Sequence, residues 1–126
     1  MRVNLPIVVK EEFDEATGKI VYQEGELPVD IDTSFLAHLK WEEQFAKDLG
    51  VDLQTYTDRV FPKVKSGSVG ISEMASVLKV LYCYVNSPEL PTFKDFLRLF
   101  KLSVTEKLLS KVAVVFEEIG KTVGKN

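Results

Sequence analysis

The chain has 126 residues, of which 45% are hydrophobic and 28% are charged, and its net charge is −3. This length and composition are typical of one globular domain with its own core, and the net acidity argues against nucleic acid as the main partner. The single cysteine, Cys83, excludes an intramolecular disulfide, and no run approaches the roughly 18 apolar residues of a membrane span.

The charges are unevenly divided between the two halves of the chain. Residues 1–60 carry 6 basic and 13 acidic side chains, whereas residues 61–126 carry 10 basic and 6 acidic ones. The halves therefore have net charges of −7 and +4, which would attract each other within the fold or between copies of the chain. The alternative interpretation is that both sets of charges are solvated surface.

The amino-terminal part is rich in predicted strands. Residues 2–9 alternate in polarity, which predicts a half-buried strand, and Pro6 places it at a sheet edge because proline has no N–H to donate. The turn Asp14–Gly18 leads to a return strand around residues 20–22, and residues 27–31 predict a short third strand. So small a sheet must pack on helices.

Two helices are predicted next. The first spans residues 32–48, with capping side chains at its start and Gly50 at its end. Asp52 caps a shorter helix, which the Phe61-Pro62 pair closes because the residue before a proline avoids helical geometry. Residues 63–70 are then predicted to form a mobile loop rich in glycine, serine and lysine.

The stretch Ile71–Asn86 is predicted as the central helix. Its apolar residues recur at three- and four-residue steps. Ser72 is the predicted cap, and Pro88 prevents continuation. Within this helix Cys83 is expected to be a buried small hydrophobe.

Two further helices complete the pattern. Thr92 caps a short one, and Ser103 with Glu106 forms a capping box for the last. Gly120 and Gly124 are predicted to end the last helix.

The predicted fold class is α+β and predominantly helical, with a small amino-terminal antiparallel β-hairpin or sheet followed by about five α-helices. All 126 residues are expected to form a single domain. Within it, residues 2–31 are the β-rich part, residues 32–121 are the helical part, and residues 122–126 are a flexible tail.

Motifs that would carry catalysis or bind a metal or cofactor are incomplete, so no such residue is predicted. Gly120-Lys121-Thr122 resembles the end of a phosphate-binding loop, but Val115 stands where that loop needs glycine. His38 is the only histidine, which leaves every Ser, His and Asp grouping dependent on that one residue. We expect a protein that is not an enzyme and needs no cofactor.

Four segments follow the strand-rich start in this order: DTSFLAHLKWEEQF (Asp32–Phe45), DLQTYTDRV (Asp52–Val60), ISEMASVLKVLYCYV (Ile71–Val85) and PTFKDFLRLF (Pro91–Phe100). Together they resemble the tail assembly chaperones of long-tailed bacteriophages of the siphophage type. Lys40 departs from the arginine more usual in that family.

The resemblance implies a protein of the bacterial host cytoplasm that is absent from the mature virion. Such proteins bind the long, helical, apolar tape-measure protein, keep it soluble and help the tail-tube protein assemble on it. Many members also have a longer, frameshifted form, for which residues 120–126 would be the joint.

Large apolar residues cluster between Phe35 and Phe61, which suggests that the partner is bound there. The predicted contacts are Trp41, Phe45, Tyr56 and Phe61. Two alternatives remain open: a small structural tail or head-tail subunit that assembles with copies of itself, and a helical adaptor between proteins. Self-association into a homo-oligomer is compatible with all three.

Overall fold

The computed structural model describes residues 1–86 and 92–122. Within them a three-stranded antiparallel sheet, ordered β1-β2-β3, is combined with six α-helices, so the predicted α+β fold with a small amino-terminal sheet is confirmed. The elements are β1 (Arg2–Asp14), β2 (Lys19–Ile31), α1 (Phe35–Gln44), α2 (Ala46–Leu49), α3 (Leu53–Ser66), α4 (Ile71–Tyr84), β3 (Val85–Asn86), α5 (Phe93–Arg98), a 3-10 turn (Leu102–Val104) and α6 (Thr105–Thr122).

The hairpin is longer than predicted, because β1 and β2 have 13 residues each. Gly18 closes its turn with φ of 69° and donates its N–H to the Asp14 carbonyl over 2.8 Å. The predicted third strand at residues 27–31 is wrong as a separate element, since β2 runs through Gly25 without a turn. The third strand is instead β3, which pairs with the end of β2.

A β-bulge divides the hairpin into a base and an arm. The register shifts between Val8 and Lys10, which leaves Val9 as the extra residue. A Cβ at Gly25 would lie 2.8 Å from Val9 Cγ1, so the absence of a side chain there makes room for the bulge. Before the bulge, Leu5 is fully buried; beyond it, residues 10–23 form an arm whose side chains are exposed except for a half-buried Asp14.

Helix α4 is the most buried helix and contacts α1, α3 and α5. Its N-cap is Gly70 and not the predicted Ser72. The Glu73 carboxylate accepts the Gly70 N–H over 3.4 Å. The helix ends at Tyr84 rather than Asn86 because the chain continues as β3. Pro88 lies outside the described residues.

The predicted helix over residues 32–48 is divided in two. Phe45 has φ of −128° and ψ of −33°, which interrupts the helix between α1 and α2. Its ring is buried 5.3 Å from the ring of Trp41 and 5.1 Å from that of Phe93, so core packing accounts for the break. Gly50 ends α2 in the left-handed conformation, as predicted.

Helix α3 begins as predicted and ends later. Asp52 caps it by accepting the Thr55 N–H over 2.7 Å. The predicted end at Pro62 is wrong, since the helix continues to Ser66 and stops at Gly67, where φ is 72°. Val64 is 3% exposed, so burying it favours continuation although Pro62 lacks an N–H. The loop predicted at residues 63–70 therefore begins only at Gly67.

The carboxyl-terminal helices follow the prediction in part. Thr92 caps α5 by accepting the Asp95 N–H over 3.1 Å. Ser103 lies inside the 3-10 turn, so α6 begins at Thr105 rather than at the predicted capping box, and this turn buries Val104 completely. Helix α6 continues through Gly120 to Thr122. Gly124 and the rest of the predicted tail, residues 123–126, lie outside the described part of the chain.

Candidate protein-binding surface

Three of the four predicted contact residues have their rings close together, and two of these, Trp41 and Phe45, are buried in the core. The Trp41 ring lies 5.3 Å from the Phe45 ring and 5.0 Å from the Tyr56 ring. Trp41 is 1% exposed and Phe45 is 8% exposed. The Trp41 Nε1–H donates to the Val51 carbonyl over 2.7 Å, which joins α1 to the start of α3. These two side chains stabilise the fold and offer almost no surface to a partner.

The other two predicted residues are half-buried in different places. Tyr56 donates its hydroxyl proton to Ser76 Oγ over 2.7 Å, which links α3 to α4. The Phe61 ring is 6.2 Å from the Phe116 ring of α6 and is not part of the Trp41 cluster. The four residues therefore do not form one exposed patch, and a contact role for Tyr56 and Phe61 stays a prediction.

The exposed apolar surface nearest to this region lies on the opposite side of α1. Phe35 is 90% exposed, Leu39 is 52% exposed and Leu36 is 45% exposed. Positions three and four apart are neighbours on a helix, so the three side chains form one patch, which we call the α1 surface. In the sequence these three residues form an apolar row of the helix, but a row of this kind does not reveal whether it faces the core or the solvent.

The start of α1 is held firmly against the sheet and α4. Ser34 Oγ accepts the Leu36 N–H over 3.2 Å, and Asp32 accepts the Ser34 N–H over 2.8 Å. Hydrogen bonding to Ser34 lowers the pKa of the Asp32 carboxyl. The Asp32 N–H donates in turn to the Tyr84 carbonyl over 2.6 Å. The α1 surface is thus presented by a fixed element and not by a loose loop.

Lys40 provides a second link from α1 to the end of α4. Its Nζ donates to the Val85 carbonyl over 2.6 Å and lies 5.1 Å from the centre of the Tyr82 ring. Burial lowers the pKa of this ammonium, and the nearby Cys83 and Asp32 oppose the shift. Lys40, which stands where arginine is more usual in the family that the sequence resembles, therefore donates hydrogen bonds to backbone carbonyls within the fold.

Burial raises the pKa of the neighbouring Cys83 thiol from 9.0 to about 12. The folded protein keeps this proton at pH values at which the unfolded chain has lost it, so the stability of the fold falls as the pH rises from 9 towards 12. We expect the free energy of unfolding to fall by about 2 kcal/mol more in the wild type than in Cys83→Ala between pH 8 and about pH 10.5.

Urea unfolding at the two pH values measures this difference directly. Because the comparison is between the changes of stability with pH, the cost of the cavity that alanine leaves, which does not depend on pH, cancels. Equal pH dependence in the two proteins would show that the thiol is accessible enough to ionise in the folded state.

Acidic residues border the α1 surface towards the carboxyl end of the helix. Glu42 and Glu43 are exposed and take part in no salt bridge among the residues described. At the other end, a shallow depression of about 270 Å³ is lined by Phe35, His38 and Thr122 together with two residues before the helix. The patch therefore combines apolar contact area with a negative border.

The arm of the hairpin is a second exposed apolar region. Phe13 lies opposite Ile20, and the next residue pair on that face is Glu11 with Tyr22. Phe13 is 65% exposed, Ile20 is 54% exposed and Tyr22 is 42% exposed. Their exposure is unusual for large apolar side chains grouped on one face.

Two ion pairs connect this hairpin to the basic half of the chain. Lys101 Nζ lies 3.6 Å from Glu11 Oε1, and Lys107 Nζ lies 2.5 Å from Glu24 Oε2. Some acidic side chains of residues 1–60 thus pair with basic side chains of residues 61–126 within the fold. Both pairs are largely exposed, so each contributes little to stability.

Neither metal ligation nor membrane insertion is indicated for the described residues. No group of three or more His, Cys, Asp or Glu side chains in residues 1–86 and 92–122 is arranged to hold a metal ion. Among the helices of these two ranges, none combines the length and apolar character needed to cross a membrane. Comparisons of the chain with protein-family models, with curated proteins and with solved structures found no match.

Proposed function

We propose that this protein is a non-enzymatic phage tail assembly chaperone that binds the tape-measure protein in the bacterial host cytoplasm and is absent from the mature virion. The observation that carries the proposal is the α1 surface, a rigid helix face on which Phe35, Leu36 and Leu39 are exposed. The resemblance of residues 32–45 to the chaperone family falls on the same helix.

The physical task of such a chaperone is to cover apolar stripes on a long helix. An uncovered stripe aggregates with others, and an apolar helix face on another protein can shield it. The α1 surface offers apolar side chains without a mobile backbone, so little ordering entropy opposes binding. Glu42 and Glu43 favour a partner helix that carries lysine or arginine beside its apolar stripe. The tail-tube protein would then gather on the partner kept soluble in this way.

Co-expression with a phage tape-measure protein tests the proposal. We expect the partner to become soluble and to elute with this chain as one complex in size-exclusion chromatography with light scattering. A partner that stays insoluble, while this chain is well folded and abundant, would contradict a chaperone function.

A structural tail subunit is the second candidate, and the exposed arm is the observation that favours it. A strand edge that projects from the body can pair with another subunit in a permanent assembly. Mass spectrometry of purified particles separates the two candidates. A structural subunit is present in a fixed number of copies, whereas a chaperone is absent.

A further inference from the structure

One edge of the arm is open. In the order β1-β2-β3, β3 pairs only with Asp30 and Ile31, so the edge of β2 from residue 19 to residue 24 has no strand beside it in the described structure. The 3-10 turn and α6 contact β1, and α6 also reaches β2 at Glu24, where Lys107 Nζ lies 2.5 Å from Glu24 Oε2. Residues 19–23 lie before this contact. A two-stranded ribbon exposed on both faces is only marginally stable in water, and further strands stabilise it.

The β1 edge of the arm is protected against pairing with itself. When two antiparallel copies of β1 are related by a twofold axis, the residue on the axis lies opposite its own copy. Residues equally far before and after it then lie opposite each other. An axis at Glu11 or Glu12 places that acid opposite itself, and an axis at Phe13 places Glu12 opposite Asp14. Like charges directly opposite each other destabilise a sheet.

The β2 edge is complementary to itself. With the twofold axis at Val21, this residue lies opposite its own copy, Ile20 lies opposite Tyr22, and Lys19 lies opposite Gln23. Apolar and aromatic side chains thus meet one another, and no two like charges face each other in this register. Cross-strand pairs of this kind stabilise antiparallel sheets.

We propose that two copies of this chain associate through the β2 edges of their arms, in antiparallel register centred on Val21. The two hairpins then form one four-stranded sheet. Phe13 lies opposite Ile20 within each hairpin, and Ile20 lies opposite Tyr22 of the other copy. Each row across the sheet therefore contains Phe13 and Ile20 of one copy and Tyr22 of the other. The exposed apolar residues of the two arms become one continuous face, and the α1 surface is not used.

Light scattering on the full-length chain tests the association. We expect the wild type to be dimeric and Val21→Lys to be monomeric, because two lysines would face each other on the axis, with the dissociation constant raised at least tenfold. Glu12→Gln is the matched control: Glu12 lies opposite Val21 within the hairpin, so this variant changes the charge of the arm by the same +1 but away from the β2 edge. This variant should remain dimeric.

Single cysteines test the register. Val21→Cys should form a disulfide-linked dimer under mild oxidation, because its copies lie opposite each other within the roughly 7 Å between Cα atoms that a disulfide spans. Lys19→Cys should not, since four residues of strand would separate its copies by about 13 Å. The native Cys83 is buried and does not compete.

Three results would overturn the proposal: a monomeric wild type at every concentration, a Val21→Lys variant that associates as the wild type does, or cross-linking of Lys19→Cys as efficient as that of Val21→Cys. Circular dichroism confirms that each variant is folded. Because the arm and the α1 surface are separate, Val21→Lys should still bind the helical partner, so failure of the dimer leaves the proposed function standing.

Discussion

Replacing Trp41 with alanine should lower the free energy of unfolding by about 3–5 kcal/mol. The side chain is 1% exposed, so its removal leaves a large cavity between α1 and α3. It also removes the ring contacts with Phe45 and Tyr56, and it leaves the Val51 carbonyl without its indole donor. Urea unfolding measures the loss. Circular dichroism is the suitable probe because Trp41 is the only tryptophan.

Two controls separate the causes of this loss. Trp41→Phe keeps an aromatic ring in the core but removes the hydrogen bond to Val51, and we expect it to cost roughly 1–3 kcal/mol. Phe35→Ala removes an aromatic side chain that is 90% exposed, so its effect should stay within about 0.5 kcal/mol. A Trp41→Ala protein as stable as Phe35→Ala would show that Trp41 is not part of the core.

The sequence was most informative where local signals agreed with burial. The alternation before the bulge, the turn ending at Gly18, the cap at Asp52 and the apolar spacing of α4 each reflect a local preference that the fold retains. In these places backbone geometry and core packing favour the same structure. The α+β class could therefore be predicted.

Tertiary packing decided the remaining elements. Phe45 interrupts a helical pattern because its ring is buried among other aromatic rings, and Pro62 is tolerated inside α3 because Val64 continues to pack in the core. The composition of either segment could not reveal which buried neighbours favour these departures from the local pattern. Long-range contacts are absent from a local pattern.

The candidate site shows the same limit. Trp41 and Phe35 lie on one helix and are both large and apolar, yet one is 1% exposed and the other is 90% exposed. The sequence pattern pointed to Trp41 and Phe45, which lie on the buried face of the helix, and not to Phe35 on its exposed face. The direction of a helix face depends on which neighbours cover it, and here α3 and α4 cover the Trp41 side.

The variant Phe35→Glu combined with Leu39→Gln should abolish solubilisation of the helical partner while leaving this protein folded. Exposed apolar anchors often contribute about 2 kcal/mol or more each to an interface, so binding should weaken at least tenfold. Stability should change little, because both side chains are more than half exposed and an acid is tolerated in the first turn of a helix. Co-purification of the partner, quantified against the amount of this protein that is folded, measures the effect.

The chain offers a matched control in Ile71→Glu combined with Leu102→Gln. These side chains are 68% and 70% exposed, and Ile71 is the first residue of α4 just as Phe35 is the first residue of α1. The control removes a similar amount of exposed apolar surface from other parts of the molecule. Equal loss of the partner in both variants would indicate nonspecific hydrophobic capture, and loss in neither would exclude the α1 surface. Loss only in the Phe35 and Leu39 variant assigns binding to this one helix face.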